Sequence, residues 1–420
     1  RVGSRLSSRG EPSLADLQAK RALDSGVPEI DAQVLEPFIE RASLVVDAIF
    51  GIGLSRDVTG VFASTIDALN VSKAPVVSLD APSGLDCDRG VVRGHAVHAD
   101  LTITFGVAKR GFFVNEGAKH IGRLRVVPIG LPLDLMKEEV STHRLFTGKT
   151  ARRLLPRRDS TSNKSKHGRA GLFGGSPGMG GALLLALHGA SRVGAGYVIA
   201  VSHEDPRDLV SAVPQTLSLS TDDPELFEKG KFTSVGIGPG LGTDEQTLNL
   251  LRVLSERKFD PVVVDADALT VLAKNDVRVR RSWILTPHAG ELSRLLGVPA
   301  KEIEADRFRY VEEAAKKFGC IVLLKGFRTV VSDGVRTVVV FSGNSALAKA
   351  GSGDVLTGMI TGLLAQEMKP FSTACLGAFL HGRLADVWVK SGRDAISLEP
   401  PDLAEALPLL IRRIREGGDA

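Results

Sequence analysis

A chain of 420 residues is long enough for two or three domains with full cores, and 43% hydrophobic with 24% charged residues is the balance of a globular protein, not a disordered or fibrous one. A net charge of +4 is too small and too dispersed to argue for a nucleic-acid partner, and no apolar run approaches the ~18 residues of a membrane-spanning helix. Three cysteines in no metal or redox spacing predict a reducing, cytoplasmic setting without disulfides, and nine histidines form no His-x-x-x-His pair to suggest a transition-metal site.

The sequence starts at Arg1 with no Met and no signal-peptide pattern, and residues 1–6 read like part of a strand, so it is expected to begin inside a domain. Leu14 to Gly26 reads as a helix that ends at a glycine. Leu44-Val45-Val46-Asp47-Ala48-Ile49-Phe50 is an apolar run broken by one aspartate and followed by Gly51-Ile52-Gly53-Leu54. Pro75-Val76-Val77-Ser78-Leu79-Asp80 repeats that plan, and Ala99 to Gly106 is a third run. Apolar strands spaced by helical segments predict a Rossmann-like parallel sheet covered on both faces. Ligands bind such sheets beyond the C-terminal strand ends, where Asp47 and Asp80 fall. Either aspartate alone would serve as a turn or cap residue; two at corresponding strand ends, each before a Gly-containing loop, point to a site.

Val46-Asp47-Ala48-Ile49-Phe50-Gly51-Ile52-Gly53-Leu54 and Leu79-Asp80-Ala81-Pro82-Ser83-Gly84-Leu85 resemble the epimerase domain of the NAD(P)H-hydrate repair enzymes. That family interconverts the R and S epimers of hydrated NADH and NADPH. The resemblance implies that Asp80 is the acid/base at the hydrated carbon. It implies that Gly51-Ile52-Gly53-Leu54-Ser55-Arg56-Asp57 holds the substrate's phosphates, and that Asp47 and Ser83 bind a potassium ion. The family also carries an upstream Asn-Asn-Gly-Gly-Asp-Gly loop, and nothing like it occurs before Asp47. The chain as given is therefore expected to consume the S epimer and leave the R epimer to its slow spontaneous interconversion.

Pro128-Ile129-Gly130-Leu131-Pro132 closes the first domain, and a charged segment to about Thr142 follows, which sets the expected domains at 1–140 and 141–420. Arg152-Arg153-Leu154-Leu155-Pro156-Arg157-Arg158 reads as a solvated connector. From Lys166 a short strand runs into a loop with glycines at 174, 175, 178, 180 and 181, then into a helix from Ala182 to Arg192. A glycine-rich loop between strand and helix is a phosphate-cradle pattern, though not the P-loop, since no Gly-Lys-Ser/Thr follows. Val235 to Gly242, Pro261 to Leu269, Trp283 to Leu292 and Cys320 to Gly326 are further strands with polar or glycine exits, and Thr329 to Ser342 is hairpin-like. His288 by itself reads as a capping or packing residue. Repeated strand–helix alternation predicts an α/β sandwich.

The loop Asn344-Ser345-Ala346-Leu347-Ala348-Lys349-Ala350-Gly351-Ser352-Gly353-Asp354 leads into a helix in which Val355, Leu356, Met359, Ile360, Leu363 and Leu364 fall on one face, expected to be the buried one. Free amides at the helix start suit phosphate oxygens. Asp354 reads either as an N-cap or as a base that orients a hydroxyl for phosphoryl transfer. Its place at a helix start predicts a lowered pKa and a weak base.

Together the glycine loop at 174–182, Gly238-Pro239-Gly240-Leu241-Gly242, Asp265-Ala266-Asp267-Ala268-Leu269, Thr286-Pro287-His288-Ala289-Gly290-Glu291 and Ala350-Gly351-Ser352-Gly353-Asp354 resemble the dehydratase domain of the same repair enzymes, which has the ribokinase-like fold. The resemblance spans nearly all of residues 145–415. It implies that Ala182, Gly240, His288-Ala289-Gly290-Glu291-Leu292-Ser293-Arg294 and Asp354 contact the hydrated dinucleotide. Lys325-Gly326-Phe327-Arg328-Thr329 and Asn344 to Gly353 would hold the adenine nucleotide. The implied reaction dehydrates the S-hydrate of NADH or NADPH at the expense of ADP or ATP, with Mg2+ offsetting the nucleotide's charge, in a homo-oligomer. Two alternatives stay open on the residues alone: a vitamin-alcohol kinase of the same fold, and a nucleotide-binding protein without catalysis.

Overall fold

In the computed structural model, which describes residues 14–31, 34–132, 134, 142–203 and 211–418, the chain divides into two units, Arg1–Val140 and Ser141–Ala420. The strand expected at residues 1–6 and most of the connector before Thr142 lie outside the described residues.

In the first unit β1 (Val45–Asp47), β2 (Val76–Leu79), β3 (Leu101–Phe105) and β4 (Arg123–Val127) form a parallel sheet in the order β1-β2-β3-β4. Val45 pairs with Val76, and Leu101 pairs with Val77 on one side and Arg123 on the other. The helix Val61–Asn70 packs Ile66 and Leu69 with Val58, Val76 and Val97 in an apolar cluster. Apolar runs led us to expect both sheet faces covered. Instead, burial alternates along β2 and β3, and Ser78, Thr102 and Thr104 are the strand side chains fully enclosed, while Val46 is 53% exposed. The period-2 geometry of a strand with one packed face explains that pattern.

The second unit holds a sheet in the order β5-β14-β13-β12-β11-β10-β9-β6-β7-β8. Its strands are β5 (His143–Phe146), β6 (Arg169–Phe173), β7 (Tyr197–Ser202), β8 (Leu217–Ser220), β9 (Ser234–Ile237), β10 (Val262–Val264), β11 (Ile284–Leu285), β12 (Ile321–Leu324), β13 (Val330–Ser332) and β14 (Thr337–Val340). Among the described residues β13 alone runs against the rest. The central strands are fully buried and apolar apart from Ser234, as expected for a parallel sheet covered by helices. In this unit every loop named above for chemistry leaves the C-terminal end of a strand: β6, β9, β10, β11, β12 or β14.

The helix Ser352–Ala365 is enclosed on all sides from Val355 to Ala365, not along one stripe. The reason lies in its small residues. A methyl at Gly358 would sit 1.9 Å from the Ala186 carbonyl oxygen, one at Gly362 would sit 2.6 Å from that of Ala190, and one at Gly189 would sit 2.4 Å from that of Val355. The backbones of this helix and of Gly180–Arg192 therefore touch, leaving no polar face. The latter helix begins two residues earlier than the sequence suggested. Cys87, Cys320 and Cys375 are free and buried, and no described helix is long and apolar enough to cross a membrane.

Gly358→Ala should lower stability by about 1–3 kcal/mol through overpacking, whereas Gly181→Ala, which meets nothing within 4 Å, should not. Denaturant unfolding of both variants checks this; equal midpoints would contradict the close contact of the two helices.

Candidate active site

At the C-terminal edge of the second sheet, the backbone N–H groups of Asp265, Thr286 and Lys325 donate to Ile237 O, Val264 O and Pro287 O, so the strand ladder sets where each side chain starts. Lys325 Nζ donates to Asp265 Oδ1 at 2.7 Å and lies 3.7 Å from Glu291 Oε2. The other Asp265 oxygen accepts Thr357 Oγ1 at 2.7 Å from the Ser352–Ala365 helix. Burial works against the charge on Asp265, but Lys325 and the hydroxyls of Thr357 and Thr286 outweigh it and hold the carboxyl below its usual range. Burial likewise works against Lys325, and Asp265, Glu291 and Asp354 outweigh it, so the ammonium is held above its usual value.

Asp354 is the third residue of its helix. Gly351, at φ 92°, occupies the N-cap position with no side-chain cap, so the N-cap reading of Asp354 does not hold. Nor does the expected weak base. Burial first, then the negative charges of Asp265, Asp267 and Glu291, lift the Asp354 carboxyl from 3.8 to about 7 against the pull of Lys325. A helix start stabilises an anion by about 0.3–1 kcal/mol, less than one pKa unit, and is outweighed here. The neighbouring Gly353 lies over the ion pair: a Cβ there would be 3.5 Å from Lys325 Nζ and 3.9 Å from Asp265 Oδ2.

His288 caps the helix Ala289–Leu296: its Nδ1 accepts from Gly290 N at 3.0 Å, and Glu291 Oε2 accepts from His288 N at 2.8 Å. This capping box aims Glu291 at Lys325. Leu292 is fully buried, and Arg294 is exposed. The two glycine loops rest on each other, with Gly175 N donating to Pro239 O at 3.1 Å and Ser176 N to Gly240 O at 2.6 Å. A Cβ on Gly240 would be 3.1 Å from Ala182 Cβ, and Gly242 N donates to Asp267 Oδ2 at 2.9 Å. Ala182, Gly240, Asp267, Asp265, Lys325, Glu291 and Asp354 thus form one connected group.

Other residues named from the sequence have partners of their own. Asn344 Nδ2 and Gly343 N donate to the two oxygens of Asp386, each at 3.1 Å. The Arg328 guanidinium lies over the rings of Phe341 and Phe327, 4.3 and 5.0 Å from their centroids. Lys349 pairs with Glu399.

Sequence reasoning missed Asp265 as a site residue, Asp386 and two buried bases. Arg307, 2% exposed, donates to Leu324 O and Lys325 O and so braces the turn that carries Lys325. His381 Nε2 meets Ser352 O at 2.9 Å, and burial pushes its pKa down to about 4. A single His or Arg in a helix has no spacing to betray it.

In the first unit, Asp47 is buried, and its carboxylate accepts Ser78 Oγ at 2.7 Å, Ser83 Oγ at 2.6 Å and Ser83 N at 2.9 Å. Asp80 follows β2 in a left-handed conformation, φ 66°, that costs a non-glycine residue energy and turns its side chain beyond the strand end. Its Oδ1 accepts Lys109 Nζ at 2.7 Å and Phe105 N at 3.2 Å. Burial pushes the Asp80 pKa up, but Lys109, the Phe105 amide and Thr104 prevail and hold it low. A Cβ on Gly51 would be 3.9 Å from Asp80 Oδ2, so the exposed loop at 51–57 begins beside this carboxylate. Lys109 was also missed, because its partner lies 29 positions away. Cys87, pushed up to about 12 by burial, is no nucleophile.

Residues 170–409 match the family described as NAD(P)H-hydrate dehydratase, and residues 8–111 match that described as YjeF-related protein N-terminus. A bifunctional NAD(P)H-hydrate repair enzyme of Moorella thermoacetica is 39% identical over 394 residues, covering 89% of this chain and 74% of its own length. Its counterpart in Escherichia coli is 35% identical over 379 residues, with 90% and 73% covered. Among solved structures, an ADP/ATP-dependent NAD(P)H-hydrate dehydratase from Bacillus subtilis, co-crystallized with ATP and Mg2+, superposes with a TM-score of 0.58 at 33% identity over 64% of this chain and 98% of that one. A ribokinase-like superfamily protein from Enterococcus faecalis gives 0.60 at 25% identity over 65% and 97%.

Lys109→Met should raise the pKa of Asp80, because burial then acts with only neutral donors to oppose it. Carboxyl NMR titration reads this directly; an unmoved Asp80 would show that the ion pair does not set its protonation.

Proposed function

This chain belongs to the family of bifunctional NAD(P)H-hydrate repair enzymes, and we propose that Asp354 is the base with which its second unit dehydrates hydrated NADH and NADPH. The observation that carries the assignment is a carboxyl with a pKa of about 7, beside an ammonium and at the opening of a helix. A base poised near the working pH is what proton transfer from an alcohol requires. Asp354 takes the substrate's hydroxyl proton while the oxygen attacks the terminal phosphorus of the nucleotide; the O–P bond forms and the phosphoanhydride bond breaks. The helix-start amides and Lys325 meet the charge on the transferring group. Hydroxide leaves poorly and phosphate leaves well, so the C–O bond then breaks, the neighbouring ring carbon loses a proton, and the dihydropyridine is restored.

Ala182, Gly240 and His288 to Arg294 would face the dinucleotide through backbone and exposed side chains, with Leu292 contributing from the core. Lys325 to Thr329 and Asn344 to Gly353 would hold the adenine nucleotide. No cluster of three or more metal-ligating side chains occurs among the described residues, so Mg2+ would be held largely by nucleotide phosphates and water, where it offsets charge. A vitamin-alcohol kinase would stop at the phosphate ester, and the family of both units argues against it.

In the first unit we assign Asp80 as the acid/base for epimerisation, with the loop from Gly51 to Asp57 at the substrate's phosphates. Asp47 and Ser83 are the proposed potassium ligands; their side chains present oxygens, the donors potassium takes, although those oxygens already share hydrogen bonds.

Asp354→Asn keeps shape and removes the base. Turnover of the S-hydrate of NADPH with ATP or ADP, followed by absorbance of the restored dihydropyridine, should fall ~10²-fold or more with the fold intact. Near-normal turnover would remove Asp354 from the chemistry.

A further inference from the structure

Asp265 is 1% exposed, and three separate elements converge on it: the end of β10, the end of β12 through Lys325, and the Ser352–Ala365 helix through Thr357. Enclosing such a pair gains little stability, since well-packed apolar residues in its place are often neutral or stabilising. Its location suggests another use. Lys325 Nζ lies 3.5 Å from where a Cβ on Gly353 would be, within a side chain's reach of Asp354. An ammonium free to pair with Asp354 would fix that carboxylate as an anion and make it a poor base.

We propose that Asp265 is a positioning residue for the dehydration: it holds Lys325 by a direct hydrogen bond, keeps that ammonium from a direct ion pair with Asp354, and leaves Asp354 able to accept the substrate's proton. This rests on the reading of Asp354 as the base. Lys325 spends one N–H on Asp265 and keeps the others for a phosphate, as a point charge. The charged groups facing Asp354 from the elements packed around it are Asp265 and Asp267 beyond β10, Glu291 from the Ala289–Leu296 helix and Lys325 beyond β12. His381, from the helix Pro370–Lys390, stays neutral above about pH 4 and adds no charge near neutrality.

The test is the pH dependence of kcat/KM for the S-hydrate of NADPH at saturating ATP, in the full chain and in Asp265→Asn, Lys325→Met and Asp354→Asn. Removing the Asp265 charge and releasing Lys325 should move the acid limb of the profile down by ~1 pH unit or more. Removing Lys325 should move it up. Opposite displacements are something a merely structural role would not produce. A rate loss in Asp265→Asn with the limb unmoved, or movement of both variants in the same direction, overturns the proposal. Should Asp265→Asn not fold, Lys325→Met decides alone, and an unmoved or lowered limb overturns it. Retained turnover in Asp354→Asn would instead overturn the assignment of the base, which separates the two failures.

Discussion

The ion pair between Asp265 and Lys325 is the contact on which the second unit's chemistry depends. It joins two strand ends to the helix that carries Asp354, with Asp265 buried and Lys325 half-buried at the edge of the site. Breaking such a pair by removing one partner costs about 3–5 kcal/mol, because a lone buried charge remains. That cost makes the arrangement rigid: with Lys325 bonded to Asp265, its pull on Asp354 is outweighed by burial and by the negative charges of Asp265, Asp267 and Glu291.

Rigidity also comes from packing. The Ser352–Ala365 and Gly180–Arg192 helices meet through glycines at backbone contact, and each is preceded by one of the glycine-rich loops. Two close-packed helices have little freedom to slide, so the loops they carry keep their spacing across the site. Arg307 and His381 serve the same end, Arg307 bonding the carbonyl of Lys325 itself and His381 that of Ser352, two residues before Asp354. Phosphoryl transfer depends mainly on positioning and electrostatics, and this framework supplies both.

Much of this was legible in the sequence. Continuous apolar runs marked the buried strands, their glycine and acidic exits marked the C-terminal sheet edge, and five ordered motifs identified the family. His288 read as a cap and is one. The proton affinity of Asp354 was not legible, because the helix start is local while what overrides it is tertiary: burial first, then carboxylates from residues 265, 267 and 291. Lys109 and Asp80 meet only because β2 and β3 are neighbours in the sheet. The full enclosure of the Ser352–Ala365 helix was hidden for a related reason: glycine and threonine look polar or neutral in a stripe analysis, yet they are what allows a second helix to close over them.

The proposed dehydration turns on transfer of a phosphoryl group to the substrate's own hydroxyl oxygen before the ring loses it. The measurement that bears on this most directly is isotopic: S-hydrate carrying 18O at the hydroxyl is turned over with ATP, and the released inorganic phosphate is analysed by mass spectrometry. One 18O in each phosphate is the expected result, because the bond that breaks last is the one between carbon and that oxygen. Unlabelled phosphate with the label recovered in water would mean that the hydroxyl departs directly, and the role given to Asp354 would be contradicted.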